Sequence, residues 1–324
     1  MTQVLEQVAM GTFGDTEAKC PFKDEGKDVG DEYENISKDD RDAVVAPQSN
    51  DGGILGGNLE AKRHSADAST YNDLPQAAPA HQDIDSWRHK TVLDVPFTGA
   101  FTDEYGPGAY AQPYNSSAHH LIPGNAALAR SDLFKKYMKK PGDAEVLVEG
   151  SWKKWKIKFN IGYNVNGSHN GVWLPNNFAI QLKGTPTGLK WSSYTAKKVG
   201  SDERKWIVAY IATATKWKGR QFHDSHTTYN RNVKDLMQKL CKGLQAHQAV
   251  CKECLGKANQ EIPPPYKVKL RLYAISRILR GYTIGSAASW RDGFLTSDQF
   301  AKIKGDSGEW AWFREVYNEA YAQE

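Results

Sequence analysis

From Trp155 to Val165 the chain alternates strictly, with Trp155, Ile157, Phe159, Ile161, Tyr163 and Val165 separated by Lys156, Lys158, Asn160, Gly162 and Asn164. A two-residue period places the two sets on opposite faces of an extended chain, so the run predicts a strand with one apolar and one basic or polar face. Asn166-Gly167 follows, a dipeptide that readily takes positive φ in a tight turn, and Val172-Trp173-Leu174 then predicts a second short strand. Ser168-His169-Asn170-Gly171 is presented at one end of this unit, and Val172-Trp173-Leu174-Pro175 reads as packing beneath it. From about Thr228 the period becomes helical, with Val233, Leu236, Met237, Leu240 and Leu244 at three- and four-residue spacing. That helix opens beside His223 and His226. Beyond the breaker Pro263-Pro264-Pro265, KVKLRLYAISRILRG sets Val268, Leu272, Ile275 and Leu279 on one stripe, and the terminal EWAWFREVYNEAYA predicts a further amphipathic helix. Strands and helices in separate runs predict an α+β fold.

The first 70 residues lack any sustained apolar period and read as a flexible or loosely packed leader. They hold 15 acidic against 7 basic residues, whereas the remainder holds 35 basic against 23 acidic, so the net charge of +4 conceals a basic body. Such a body suits a polyanionic partner. A second irregular stretch, 77–117, is rich in Pro, Gly and Tyr and predicts a wrapping segment. With 324 residues and a hydrophobic fraction of 40%, the chain supplies at least one buried core. No run is long and apolar enough to span a membrane, and the first residues lack the basic-then-apolar pattern of a signal peptide, which predicts a soluble protein made in the cytoplasm without membrane insertion. Four cysteines are too few for a disulfide scaffold.

Five of the nine histidines fall in three blocks: Ala118-His119-His120-Leu121-Ile122-Pro123, His169-Asn170-Gly171-Val172, and His223-Asp224-Ser225-His226-Thr227-Thr228-Tyr229-Asn230. Singly, each pair of histidines reads as an ordinary surface pair; three separated blocks together point to a site. Neutral imidazole near pH 7 serves equally as metal ligand and as general base. Adjacent histidines on an extended segment point to opposite sides, so one can hold metal while its neighbour faces water. Around His226, His223 three residues earlier and Asn230 four later share a helical face.

These three blocks, in this order, resemble the AHH family of bacterial toxin nucleases, a branch of the His-Asn-His (HNH) endonucleases, over roughly residues 116–245. The resemblance implies a β-hairpin followed by a helix gripping one divalent metal, the ββα-metal core, here elaborated between 176 and 220, with additional C-terminal helices. It divides the chain into a leader at 1–115, for delivery, docking or regulation, and a nuclease domain at 116–324. It implies His119 as metal ligand, His120 as general base, and Asn170 as the central asparagine whose amide bridges backbone groups and orients the base. His226 is expected to bind metal, with His223 and Asn230 competing for the remaining position and His223 preferred. Hydrolysis of a phosphodiester needs an activated water and a cation to stabilise the transition state and the departing oxygen. Magnesium is the expected metal, with zinc, nickel or manganese also suited to a histidine-rich site. The implied substrate is DNA, with RNA as the alternative. The implied role is that of a toxin in bacterial competition, exported by a contact-dependent (type VI-like) secretion system with its carrier or chaperone into a target cell and neutralised in the producer by a cognate immunity protein. A non-catalytic nucleic-acid-binding protein and a delivery component are the competing classes.

Two further groups carry candidate chemistry. Cys241, His247, Cys251 and Cys254 offer ligands for structural zinc, or equally buried helix-borne thiols. Lys216, Lys218 and Arg220, just before His223, are candidates for contact with substrate phosphates; the KKYMKK run at 135–140 and Trp152-Lys153-Lys154-Trp155 read more simply as solvated faces.

Overall fold

The apolar stripe from Val233 to Leu244 is buried along one long helix, and the stripe from Val268 to Leu279 along another, as their periods predict. The computed structural model describes Leu5, residues 20–22, 51–63, 91–94, 111–158, 160–177, Trp191, and residues 195–265 and 267–319. Most of the acidic leader, most of 77–110, and Phe159 of the alternating run lie outside the described residues. In chain order the elements are α1 (Gly52–Arg63), β1 (Thr91–Asp94), β2 (Ala111–His120), β3 (Asp143–Val148), β4 (Ser151–Ile157), β5 (Gly171–Asn176), α2 (Asp202–Lys218), α3 (Thr227–Val250), α4 (Lys252–Gly256), β6 (Glu261–Ile262), α5 (Lys267–Thr283), α6 (Asp298–Gly305) and α7 (Ser307–Glu319). The fold is α+β. No helix among the described residues is long and apolar enough to cross a membrane.

The chain divides into two compact units, each gathered from separated segments. The first comprises Met1–Asp51, His120–Asn170 and Asn230–Leu279. Its sheet runs β3-β4-β6, with β3 and β4 antiparallel, Asp143 opposite Lys156 and Val148 opposite Ser151, and β6 parallel to β4. Glu149 (φ 49°) and Gly150 (φ 75°) close the hairpin with left-handed residues in succession, the geometry of a two-residue turn matched to strand twist. A glutamate seldom adopts positive φ, which is why this hairpin is hard to read from composition.

The alternating run is strand only as far as Ile157. There the ladder runs out of partners: β3 begins at Asp143, opposite Lys156, and β6 ends at Ile262, opposite Ile157. Ile161, Tyr163 and Val165 are nevertheless buried and Lys158 and Asn164 exposed, so the alternation recorded burial rather than a continuous ladder. Nor do 155–165 and 172–174 form one strand-and-turn unit, because β5 pairs within the other sheet. At the Asn166-Gly167 turn neither residue has positive φ; the left-handed glycine of this stretch is Gly162 (φ 68°). Gly167 is required for space instead, since a Cβ there would stand 2.3 Å from Cε1 of His169.

The second unit comprises Gly52–His119, Gly171–Tyr229 and Arg280–Glu324. Its sheet runs β1-β2-β5, with β1 and β2 antiparallel and Thr91 opposite Tyr114. All of β1 and most of β2 fall inside the stretch expected to be irregular; β2 is mostly polar, so neither alternation nor β-propensity marks it. Helices α1 and α2 pack on β5. The expectation of a loosely packed leader fails for α1, where Leu55 and Leu59 are buried against Gly171 and Gly56 lets the Trp173 ring approach. Its four glycines argue against a helix locally, and tertiary packing overrides that preference.

Helix α2 has sound termini: Ser201 caps Arg204 N–H, Asp202 and Glu203 occupy the first turn, and Gly219 (φ 61°) ends it in the left-handed conformation. Residues 206–212 are buried without interruption, so no apolar stripe distinguishes this helix in the sequence. It packs with α6 and α7 around a core that includes Tyr210, Phe222, Phe300 and Phe313. Within that core lies an ion pair. Arg204 donates from Nε and Nη2 to both oxygens of Glu309 at 2.6 and 2.7 Å and from Nη1 to Gln299 Oε1 at 2.8 Å, tying α2 to α7 and α6. Removing one partner leaves a buried charge uncompensated. Glu309→Ala is therefore expected to lower the unfolding free energy by about 3–5 kcal/mol, measured by urea denaturation, and a loss under about 1 kcal/mol would show the pair to be solvated.

Candidate metal centre

The last two residues of β2, His119 and His120, belong to different surroundings. His119, 3% exposed, is in the second unit together with His223 and His226. Its ring centroid stands 4.8 Å from that of His223 and 4.9 Å from that of His226, and those two are 5.1 Å apart. Each offers a ring nitrogen, and the three nitrogens lie within 4.8 Å of one another. Two of these histidines come from a loop fixed at both ends. His223 N–H donates to Pro175 O at 2.8 Å, placing it beside the end of β5. Beyond His226, Thr227 N–H donates to the Asp298 carboxylate, whose own backbone N–H bonds Asp224 Oδ1 at 2.9 Å. Burial pushes the Asp224 carboxyl up to about 7, against the Ser297 hydroxyl and the Asp298 N–H, which lower it. Tyr229, fully buried, sets its ring edge-on to His119 (5.2 Å) and to His226 (5.7 Å) and walls the cluster.

Three imidazoles converging within a few ångströms fit a first-row divalent metal, which takes imidazole nitrogen at about 2.0–2.1 Å after small side-chain adjustments. Three protein ligands leave further coordination positions for water or substrate, the pattern of a catalytic rather than a structural centre. Asn230, the rival for the third position, stands four residues beyond His226 in α3 and its Oδ1 is buried. Among the histidine, cysteine and acidic ligands of the described residues, His223 is the one that joins His119 and His226.

His120 is in the first unit, 8% exposed. Its Nε2 lies 2.9 Å from Oδ1 of Asn166, and the same oxygen accepts the backbone N–H of Asp51 at 3.1 Å. A backbone N–H can only donate, so the amide orientation is fixed and the atom facing His120 is an acceptor. Neutral His120 therefore carries its proton on Nε2 and its lone pair on Nδ1. Burial pushes its pKa down, with the Asn166 bond and the Asp51 charge opposing.

Asn170 is fully buried and bridges backbone groups. Its Nδ2 donates to Ile122 O at 3.0 Å and Val165 O at 2.9 Å, while its Oδ1 accepts Ile122 N–H at 2.8 Å and the Ser276 hydroxyl at 3.1 Å. The side chain that holds the His120 ring is Asn166, which the sequence presented only as half of a turn dipeptide. Nothing in the spacing singles it out; Asn166 N–H donates to Asn164 Oδ1 at 2.9 Å, a local turn that any Asn-x-Asn permits. His169 instead packs between Tyr163 and Tyr273, with centroids at 5.2 and 4.4 Å.

The basic residues before His223 are not lined up toward solvent. Arg220, 3% exposed, donates from Nη1 to Trp173 O at 3.1 Å; Lys218, 5% exposed, sets Nζ 3.7 Å from the Trp217 ring centroid; Lys216, half-buried, lies 4.8 Å from that of Tyr317. Arg220 and Lys218 serve packing here. The sulfur group also differs from expectation. Cys241 is buried and outside the ligand cluster, its thiol pushed up to about 12 by burial, and the cysteine that joins His247, Cys251 and Cys254 is Cys20. Cys241 lies between Leu240 and Leu244 on α3 and is buried with them, whereas Cys20 is more than 200 residues away in sequence and no local spacing reveals it.

A family model described as a nuclease family of the HNH/ENDO VII superfamily with conserved AHH matches residues 101–262. No curated protein and no solved structure matches the chain.

Asn170→Ala would leave Ile122 N–H, Ile122 O and Val165 O without their side-chain partner inside the fold, at about 1–3 kcal/mol for each buried group. Urea denaturation is expected to show a loss of at least roughly 3 kcal/mol, and Asn170→Asp, which turns an oxygen toward two carbonyls, should lose as much at pH 7. An Asp variant as stable as wild type would mean that the amide is not oriented as described.

Proposed function

Because the chain belongs to the AHH nuclease family of the HNH/ENDO VII superfamily, we propose that it is a metal-dependent endonuclease that cuts DNA, with His119, His223 and His226 as metal ligands and His120 as general base. The observation that carries this reading is the convergence of His119, from the Ala-His-His triplet, with two histidines more than 100 residues later. A divalent cation held there supplies positive charge to the phosphodiester in its transition state and to the departing oxygen. His120, one peptide bond from His119, takes the proton of the attacking water on Nδ1, the nitrogen left free of hydrogen by the Asn166 contact. Asn166 thereby positions the base, and Asn170 holds the backbone just after it.

Three imidazoles suit zinc, nickel or manganese better than magnesium, which prefers oxygen donors, so we place these metals ahead of magnesium. The basic excess beyond residue 70 supports a polyanionic substrate gripped through its backbone, with little sequence preference. As a member of this family the chain fits a toxin of bacterial competition, exported to a target cell, and a basic body fits an acidic immunity protein as its neutralising partner.

Cleavage of supercoiled plasmid and of a structured RNA, with magnesium, manganese, zinc or nickel, tests the reading. Wild type is expected to nick the plasmid and lose activity in EDTA; His119→Ala should be inactive, and His120→Ala slower by about 10²–10⁴-fold. Cutting of RNA alone would replace the substrate, and His120→Ala at wild-type rate would remove His120 from the mechanism. Induced expression in a bacterial host should reduce colony formation, and His119→Ala should restore it; equal colony counts for the two would argue against the toxin role.

A further inference from the structure

His247, Cys251 and Cys254 follow one another at spacings of four and three residues across the junction of α3 and α4, so their side chains gather on one side. The backbone there is tied: Cys251 N–H donates to His247 O at 2.9 Å, and Leu255 N–H to Cys251 O at 2.9 Å. A fourth ligand arrives from the other end of the chain, with Cys20 Sγ 3.1 Å from Cys254 Sγ across 234 residues. One imidazole nitrogen and three sulfurs thus lie within 4.8 Å of one another. In a tetrahedral site with sulfur at about 2.3 Å, ligand atoms stand roughly 3.3–3.8 Å apart, so these four need only small adjustments around a central ion.

The cluster is built into the first unit rather than hung on its surface. Cys20 and Cys254 are buried, Cys251 and His247 half-buried. Trp155 donates from its ring nitrogen to Cys254 O at 3.0 Å, fixing α4 against β4. Phe22, two residues beyond Cys20, is buried with its ring 5.9 Å from that of Tyr137.

We infer that Cys20, His247, Cys251 and Cys254 bind a structural zinc ion that fastens the N-terminal segment to the corner between α3 and α4. Three thiolates and one imidazole form a soft donor set that selects zinc among the common divalent ions. Four protein ligands complete a tetrahedron and leave no position for water or substrate, in contrast to the three-histidine centre. On binding, the three thiols release their protons to solvent, and no oxidant is involved. The rival arrangement is a Cys20–Cys254 disulfide, whose sulfurs would stand at about 2.05 Å and which would withdraw two of the four ligands.

Titration of the reduced, metal-free full-length chain with cobalt(II) separates these cases, because only a thiolate site gives the near-ultraviolet sulfur-to-cobalt charge-transfer band. The wild type is expected to develop that band, with the strong visible absorption of a tetrahedral ion, saturating at about one equivalent and bleached by equimolar zinc. The band should persist in His119→Ala and in Cys241→Ser, fall at least roughly tenfold at the same cobalt concentration in Cys20→Ser and Cys251→Ser, and return, shifted, in Cys20→His, which restores a fourth ligand. Absence of the band in wild type, a band unchanged in Cys20→Ser or lost in Cys241→Ser, or isolation of the chain with Cys20 and Cys254 already joined as a disulfide would overturn the inference.

Discussion

One carboxamide, that of Asn170, joins four places in the chain. It donates to the carbonyls of Ile122 and Val165 and accepts from Ile122 N–H and the Ser276 hydroxyl, while its own carbonyl accepts Leu121 N–H. No other uncharged side chain except glutamine offers two donors and an acceptor in a plane, and burial makes each unmet group costly. The segment so fixed, Leu121-Ile122, directly follows the two histidines, and Gly171, where β5 begins, directly follows Asn170. The constraint therefore acts on the backbone that adjoins His120.

Upstream of that clamp, two adjacent imidazoles have different surroundings. An extended backbone turns successive side chains to opposite sides. His119 accordingly meets His223 and His226, while His120 meets the Asn166 amide. Asn166 does for His120 what an outer-shell partner does for a metal-bound histidine: through one nitrogen it fixes ring and tautomer. The loop carrying His223 and His226 is held by a different set of bonds, to Pro175 at the end of β5 and to the Asp298 carboxylate at the start of α6. The C-terminal helices, which by sequence have no evident part in the site, thus position one of its walls, and the Arg204–Glu309 pair couples them to α2.

Charge near a site is not the same as charge available to a ligand. Lys218 and Arg220 stand a few residues before His223, yet their polar ends meet an indole face and a backbone carbonyl. Long cationic side chains readily lie along apolar surface with the head satisfied locally, and burial converts them from solvent-facing charges to packing elements.

The sequence by itself determined the amphipathic helices α3, α5 and α7, because each buries one stripe and a period of three to four residues records it. It also presented His119, His120, Asn170, His223 and His226 as candidates, because residue type and the family resemblance single them out without reference to their contacts. Tertiary structure alone decided the rest. Helix α2 is buried along most of its length and so has no stripe to read; α1 contradicts its local propensities; the alternation after Ile157 persists without a ladder because its neighbours end there. Asn166 rather than Asn170 holds the His120 ring, and Cys20 rather than Cys241 joins the sulfur cluster. Both depend on contacts across dozens to hundreds of residues, and local periodicity carries information only about a residue's own turn of helix or strand, not about which distant segment will be packed against it.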